Sequence, residues 1–235
     1  MNLLRKGTSL KTVIKHCLSG AETASGTVVI IDVFRASNTI LMLLARGAAS
    51  VIPVATVRET FAMKDKHPDY LLAGERKGIK VAGFDMGNSP YEASRMDLAG
   101  KHVILTTSAG TRAIWHARRA ERIVIGSFGN ADALVKMLKQ MNPLLVTWLA
   151  VGTEAVSGAI EDELCAVYMK GMLEGEPQDF SSIRVKILTG EGAERLRRLG
   201  QENDFSYCLA TNMFRFVPEI AQERAQYRIF RVINS

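Results

Sequence analysis

Apolar positions fall along this chain in two alternating rhythms. Thr27–Asp32 (TVVIID) is an unbroken, largely β-branched run, the pattern of a strand covered on both faces. Asn38–Arg46 then places Ile40, Leu41, Leu43 and Leu44 at helical spacing, until Gly47 stops it. The exchange recurs, with strands expected at Ser50–Ala55, Tyr70–Ala73, His102–Thr106, Arg122–Gly126 and Leu144–Ala150. Helices are expected at Val57–Lys66, Thr111–Arg118, Ala131–Met141 and Glu161–Leu173. Ile183–Leu199 reads as helical with a break near Gly190-Glu-Gly192, Tyr227–Ile233 as a last strand, and Leu10–Leu18 as a short helix. Gly74–Pro90 is too rich in glycine for a regular element and reads as a long loop, a kind that is usually functional. Such alternation predicts an α/β fold with helices on both faces of a largely parallel or mixed sheet. Residues 1–235 are read as one domain, or as two intimate lobes.

Composition narrows the class. Of 235 residues, 47% are hydrophobic and 23% charged, which excludes disordered and collagen-like chains. Burial of roughly 70–75% of the unfolded surface removes any need for a metal or disulfide merely to hold the fold. Three widely spaced cysteines, Cys17, Cys165 and Cys208, suit a reducing compartment. The first residues lack the apolar stretch of a secretory signal, and no apolar run is long enough to span a bilayer. The expectation is a soluble, cytoplasmic protein with no membrane partner. The net charge of +6 comes from scattered residues, with small groups at Arg118-Arg119, Arg195–Arg198 and Arg224–Arg231 that read as solvated helix faces. A nucleic-acid surface calls for a basic stripe with interleaved aromatics, so no nucleic-acid partner is expected. A homo-oligomer is compatible with the composition.

Open α/β sheets bind ligands beyond the carboxyl ends of their strands. There the chain carries Asp32-Val-Phe-Arg35-Ala-Ser37-Asn38, Gly74-Glu75-Arg76-Lys77-Gly78, Thr106-Thr107-Ser108-Ala109-Gly110-Thr111 and Gly126-Ser127-Phe128-Gly129-Asn130. The last two offer hydroxyls and free N–H groups at helix N-termini, which suit anions. Arg35, Arg76 and Arg112 add forked donors for phosphate, sulfonate or carboxylate. Asp32, Glu75, Asp85, Glu161 and Asp162 are hard oxygen donors suited to Mg²⁺. Each feature also has a bland reading. Thr107, Ser127 and Asn130 serve as helix caps, and Glu161-Asp162-Glu163 as an acidic first turn. Four loops with matching chemistry tip the balance toward a site. No Walker loop, paired-aspartate, Cys-Arg phosphatase, Arg-His-Gly or His-Glu-x-x-His motif is present, and Gly190-Glu-Gly192 only half-matches a dinucleotide fingerprint.

Ile31-Asp-Val-Phe-Arg-Ala-Ser37, Gly74-Glu-Arg76, Gly83-Phe-Asp-Met-Gly-Asn88-Ser89-Pro90, Leu105-Thr-Thr107 with Gly110-Thr111, Gly126-Ser127 with Asn130, and Glu161-Asp162 ahead of Leu164-Cys165-Ala166 occur in this order. Together, over roughly residues 27–217, they resemble the 2-phosphosulfolactate phosphatases, Mg²⁺-dependent enzymes first associated with coenzyme M biosynthesis. Departures are Thr107-Ser-Ala-Gly-Thr111 for Thr-Asn-Gly-Thr, Leu149-Ala-Val-Gly152 for Cys-Ala-Gly, and Asn212 where an acid is common; Asp204, Cys208 and Val217-Pro218 match. The resemblance implies a three-layer α/β/α fold and hydrolysis of (R)-2-phospho-3-sulfolactate to 3-sulfolactate and phosphate. On it rests the expected site. Asp32, Glu161 and Asp162 hold Mg²⁺, and Asp32, Glu75 and Asp85 are the catalytic candidates. Arg35, Ser37, Arg76, Asn88, Ser89, Thr106, Thr107, Ser108, Gly110, Thr111, Ser127 and Asn130 surround a small anionic, phosphorylated substrate. A phosphatase for another small phosphorylated acid and a non-catalytic anion-binding module are the alternatives.

Overall fold

A computed structural model describes residues 10–223 and 226–232. In chain order the elements are β1 (Lys11–His16), α1 (Cys17–Thr23), β2 (Gly26–Ile31), α2 (Ala36–Ala45), β3 (Ser50–Pro53), α3 (Val57–Lys66), β4 (Leu71–Arg76), β5 (Ile79–Lys80), α4 (Pro90–Ser94) and β6 (His102–Thr106). They continue as α5 (Gly110–His116), β7 (Ala120–Gly126), α6 (Ala131–Met141), β8 (Leu145–Ala150), α7 (Ile160–Glu174), α8 (Phe180–Leu188), α9 (Glu191–Arg198), α10 (Phe205–Cys208), β9 (Val217–Glu223) and β10 (Gln226–Val232).

The sheet order is β1-β8-β2-β7-β9-β10-β3-β6-β4-β5. Every residue of β2 is buried. Alternate side chains feed two cores: Val28 and Ile30 pack with Leu41, Leu44 and Ile114 of α2 and α5, while Val29 and Ile31 pack with Leu134, Met169 and Ile187 of α6, α7 and α8. Period-two alternation thus places helices on both faces, the three-layer α/β/α arrangement. β1, β8, β2 and β7 run parallel, as do β3, β6 and β4. Three antiparallel junctions in succession, β7 with β9, β9 with β10 and β10 with β3, join the two halves and reverse their directions. The sheet is therefore mixed.

Three local expectations are corrected. Lys11–His16 is a strand paired with β8, and the helix begins only at Cys17. The β-branched Thr12, Val13 and Ile14 lie on a half-exposed sheet edge, where pairing with Leu145–Ala150 outweighs helical spacing. The strand expected to end at Ala73 runs on to Arg76 and turns through Lys77 and Gly78, at φ 54° and 80°, into β5. That is the left-handed pair of a tight hairpin, and it shortens the supposed loop. β9 was not foreseen. Its partner β10 matches the last expected strand, apart from Ile233, which lies outside the described residues.

Candidate active site

Asp32 follows β2 where the apolar run ends against the start of α2. The Ser37 hydroxyl accepts the Asp32 N–H at 3.0 Å and reaches back to the Ile30 carbonyl at 3.3 Å, fixing the turn. Asp32 Oδ1 then accepts the Ala36 N–H at 3.2 Å. Its other oxygen lies beside Gly110, where a Cβ would fall 2.8 Å from Oδ2 and 2.6 Å from Ala36 Cβ. Gly110 is thus the residue that lets the loop beyond β6 approach the carboxylate.

Two more acids lie on the first turn of α7. Asp162 accepts the Val33 N–H at 2.7 Å with one oxygen and the Gly152 N–H at 2.8 Å with the other, so it ties the ends of β2 and β8 together. Glu161 is buried against α9, where a Cβ on Gly192 would meet its Oε1 at 2.3 Å. Burial, reinforced by neighbouring acids, raises all three carboxyls. Asp32 is pushed up to about 6 by burial, then by Glu75 and Glu161, against the Ala36 N–H and Arg195. Asp162 is raised well above its ordinary value by burial, then by Asp32 and Glu161, and Glu161 is raised by burial. Buried acids that raise one another mark a place where a cation is favoured.

Across from them, β4 delivers Glu75. A Cβ at Gly74 (φ 147°) would lie 2.1 Å from the Thr106 carbonyl oxygen, so the strand meets β6 closely only because this residue is glycine. Glu75 then accepts the Ser108 N–H at 2.6 Å, the Ser108 hydroxyl at 3.1 Å and the Gly78 N–H at 2.7 Å, bracing two loops. Arg35 is buried and ion-paired through Nη1 with Asp204 at 2.8 Å, while Nη2 donates to the Gly78 carbonyl at 3.1 Å. Asp204 also accepts the Ser89 hydroxyl at 2.6 Å and the Tyr91 N–H at 3.0 Å.

The result is a cavity of about 360 Å³ lined by Asp32, Phe34, Arg35, Glu75, Lys77, Gly78, Asn88, Ser108, Ala109, Gly152, Thr153, Glu154, Arg195 and Leu196. Asn88 is buried there, and its Oδ1 has no hydrogen-bond partner among the described residues. A neighbouring depression of about 260 Å³ shares Lys77, Ser108 and Glu154 and adds Ala55, Arg76, Thr107 and Arg112. Burial, and then the nearby Arg112, lowers the Arg76 guanidinium despite Glu75. Two guanidinium groups this close favour an anion between them.

The expected site residues divide into three groups. Asp32, Arg35, Glu75, Asn88 and Ser108 line the cavity, Arg76 and Thr107 the side depression, and Gly110 abuts Asp32. Ser37, Ser89, Thr106, Thr111 and Asp162 stand behind the wall: Thr106 accepts a hydrogen bond from Arg76 at 2.8 Å, and Thr107 and Thr111 exchange bonds of 3.0 and 3.1 Å. Glu161 also stands behind it. Ser127, Asn130 and Asp85 lie elsewhere. The Ser127 hydroxyl donates to Asn38 at 3.0 Å, and Asn130 accepts the Ser127 N–H and donates to the Ile125 carbonyl. Both are fully buried inside their own turn. Asp85 is solvent-exposed and accepts the Leu72 N–H at 2.7 Å, holding the Gly83–Met86 segment to β4. Asp204 and Arg195 enter the site without having been candidates. Asp204 belongs to the motif pattern quoted above, and Arg195 stands three residues after Gly192 on one helix face.

Among the described residues, no three of His, Cys, Asp or Glu come together as a ready ligand set for one ion. Mg²⁺ is commonly held by one or two carboxylates with water and substrate oxygens completing its shell, and the hard donor Asp32 on the cavity fits that demand, with Glu161 adding charge behind it. Asp162, with both oxygens on backbone N–H groups, fits as their support.

A model of the 2-phosphosulpholactate phosphatase family matches residues 13–223. Curated relatives agree with it. A probable 2-phosphosulfolactate phosphatase of Carboxydothermus hydrogenoformans is 37% identical over 206 residues, 82% of this chain and 85% of the relative. Proteins of the same printed name from Thermotoga maritima and Thermoplasma acidophilum are 35% and 34% identical, covering 83% of this chain and 88% and 86% of the relatives.

Proposed function

The chain belongs to the 2-phosphosulfolactate phosphatase family, and from that premise we propose that it is an Mg²⁺-dependent enzyme hydrolysing (R)-2-phospho-3-sulfolactate to 3-sulfolactate and phosphate. In this reaction the bond from phosphorus to the C2 oxygen breaks, and the oxygen of water ends on phosphorus. The observation that carries the reading is the cavity itself. One carboxylate oxygen, Asp32 Oδ2, accepts no hydrogen bond among the described residues, and Asp32 lines a space walled by the buried, pre-oriented Arg35 and the loop beyond β6.

The residues divide the work. Asp32 would hold the cation, with the buried Glu161 and Asp162 adding negative charge behind it, and the ion would supply neutralisation of phosphoryl charge. Arg35, locked by Asp204, offers its remaining donors to the substrate in a geometry fixed before binding, so little ordering is left to do. Glu75 holds Ser108 and Gly78 against the cavity and is a positioning residue. Arg76, Lys77 and Arg112 suit the substrate's second acidic group, since sulfonate and carboxylate both accept forked donors. Phosphoryl transfer asks mainly for such placement and charge stabilisation.

Phosphate release from phosphosulfolactate, measured beside a panel of plain phosphate monoesters, tests this. The expected result is release that requires Mg²⁺, stops on chelation and strongly prefers the sulfonated acid. Equal turnover across the panel argues for a general small-acid phosphatase, and no release from any ester argues for a binding module.

A further inference from the structure

We infer that Arg195 of α9 clamps the substrate's phosphoryl group, and that α9 is a wall of the active site. The inference deepens the reading above, and it starts from an asymmetry within one helix. Of the arginines that α9 presents in its last turn, Arg197 and Arg198 are exposed and Arg195 is half-buried in the cavity lining. Arg197 spends its guanidinium on the Leu188 carbonyl at 2.8 Å and on the Phe205 ring at 5.4 Å. Arg195 makes one hydrogen bond among the described residues, a long one from Nη1 to Thr153 Oγ1 at 3.4 Å, and no ion pair within 4.0 Å. A guanidinium has five N–H donors, so most of this one's capacity is left facing the cavity.

The approach of α9 is built for this placement. Gly192 precedes Arg195 by three residues and so shares its face. A side chain at Gly192 would collide with the Glu161 carboxylate, at 2.3 Å from Oε1 and 2.7 Å from Oε2. Only a helix with glycine there comes so near the acids. The Arg195 charge is felt by both Asp32 and Glu161, yet it forms a contact pair with neither. It therefore stands off from the carboxylates across a space that an anion can enter. A phosphoryl group in that space meets Arg35 from one wall and Arg195 from the other.

The test is calorimetric binding of inorganic phosphate to the Mg²⁺-loaded protein, read beside kcat/KM. Arg195→Ala is expected to weaken phosphate by about ten-fold or more and to lower kcat/KM by about a hundred-fold. Free guanidinium ion should restore part of both. Arg195→Lys should retain intermediate binding, because it keeps the charge and loses the fork. Arg198→Ala, on the exposed face, should match wild type. Should Arg195→Ala fail to fold by circular dichroism, Arg195→Lys decides the matter: reduced phosphate affinity in it supports the clamp and wild-type affinity overturns it. Wild-type phosphate affinity in a folded Arg195→Ala protein, or a wild type that binds no phosphate, overturns the inference. Wild type that binds phosphate through Arg195 but releases none from phosphosulfolactate supports the clamp while overturning the substrate reading.

Discussion

The loops beyond β6 and β7 are written in nearly the same alphabet of small and hydroxyl residues, each ahead of a helix, yet they end in different places. In Thr107–Thr111 the cap is made internally by the two threonines, which leaves Ser108 and Ala109 on the cavity and Gly110 against Asp32. In Ser127–Asn130 both polar side chains turn inward, onto Asn38, Ile125 and the loop's own backbone, and the segment is buried. The difference teaches that a strand-end loop becomes part of a site when its residues border a cavity, and composition does not reveal which loop does so.

Substitutions can break that contrast. Among the loop substitutions, Gly110→Ala should have the largest effect on activity. Its Cβ collides with Ala36 and the Asp32 carboxylate, and a displacement near 1 Å costs roughly a hundred-fold in kcat/KM. Steady-state phosphate release measures it, and near-normal turnover would place Asp32 outside the mechanism's tight geometry. Asn130→Ala should do the reverse. It removes two buried hydrogen bonds and leaves their partners unpaired, a loss of about 2–3 kcal/mol in urea unfolding, while kcat/KM of the folded fraction stays at the wild-type value. Ser127→Ala is the milder form, near 1 kcal/mol, again without a kinetic effect.

The same contrast separates Asp32 from Asp162. Both are buried and both are raised, but Asp162 gives each oxygen to a backbone N–H, whereas Asp32 keeps one for the cavity. Burial lifts Asp32 from 3.8 to about 6. Below the lower value both folded and unfolded chains are protonated, so nothing is lost. As pH rises from about 4 through 6 the unfolded chain ionises first, and stability falls by at most about 3 kcal/mol. In chelator, Asp32→Asn should therefore unfold at higher urea near neutral pH and lose that part of the slope. An unchanged profile would show that Asp32 ionises freely in the native protein.

Much of the architecture was legible because it rests on period and burial. The unbroken run at Val28–Ile31 forms an interior strand paired on both sides, by β8 and β7, and the residues at helical spacing in Ile40–Leu44 pack in the core against it. The edge strand Lys11–His16 was not legible, since its conformation is set by pairing with distant Leu145–Ala150. In the site, Asp32, Arg35 and Glu75 stood out as charges bordering apolar runs. Asp204 did not, because its meaning comes from Arg35, 169 positions away. Arg195 was hidden among exposed neighbours, and only the closeness of Gly192 to Glu161 separates it from them. Ser127 and Asn130 carried the composition of a phosphate loop, and tertiary packing turned them into a lock.

Phosphate release from phosphosulfolactate by Asp32→Asn at saturating Mg²⁺ tests the account most directly. The account predicts a folded protein whose turnover has fallen by about a thousand-fold or more, because the carboxylate proposed to hold the cation is gone. Turnover within a few-fold of wild type would contradict it.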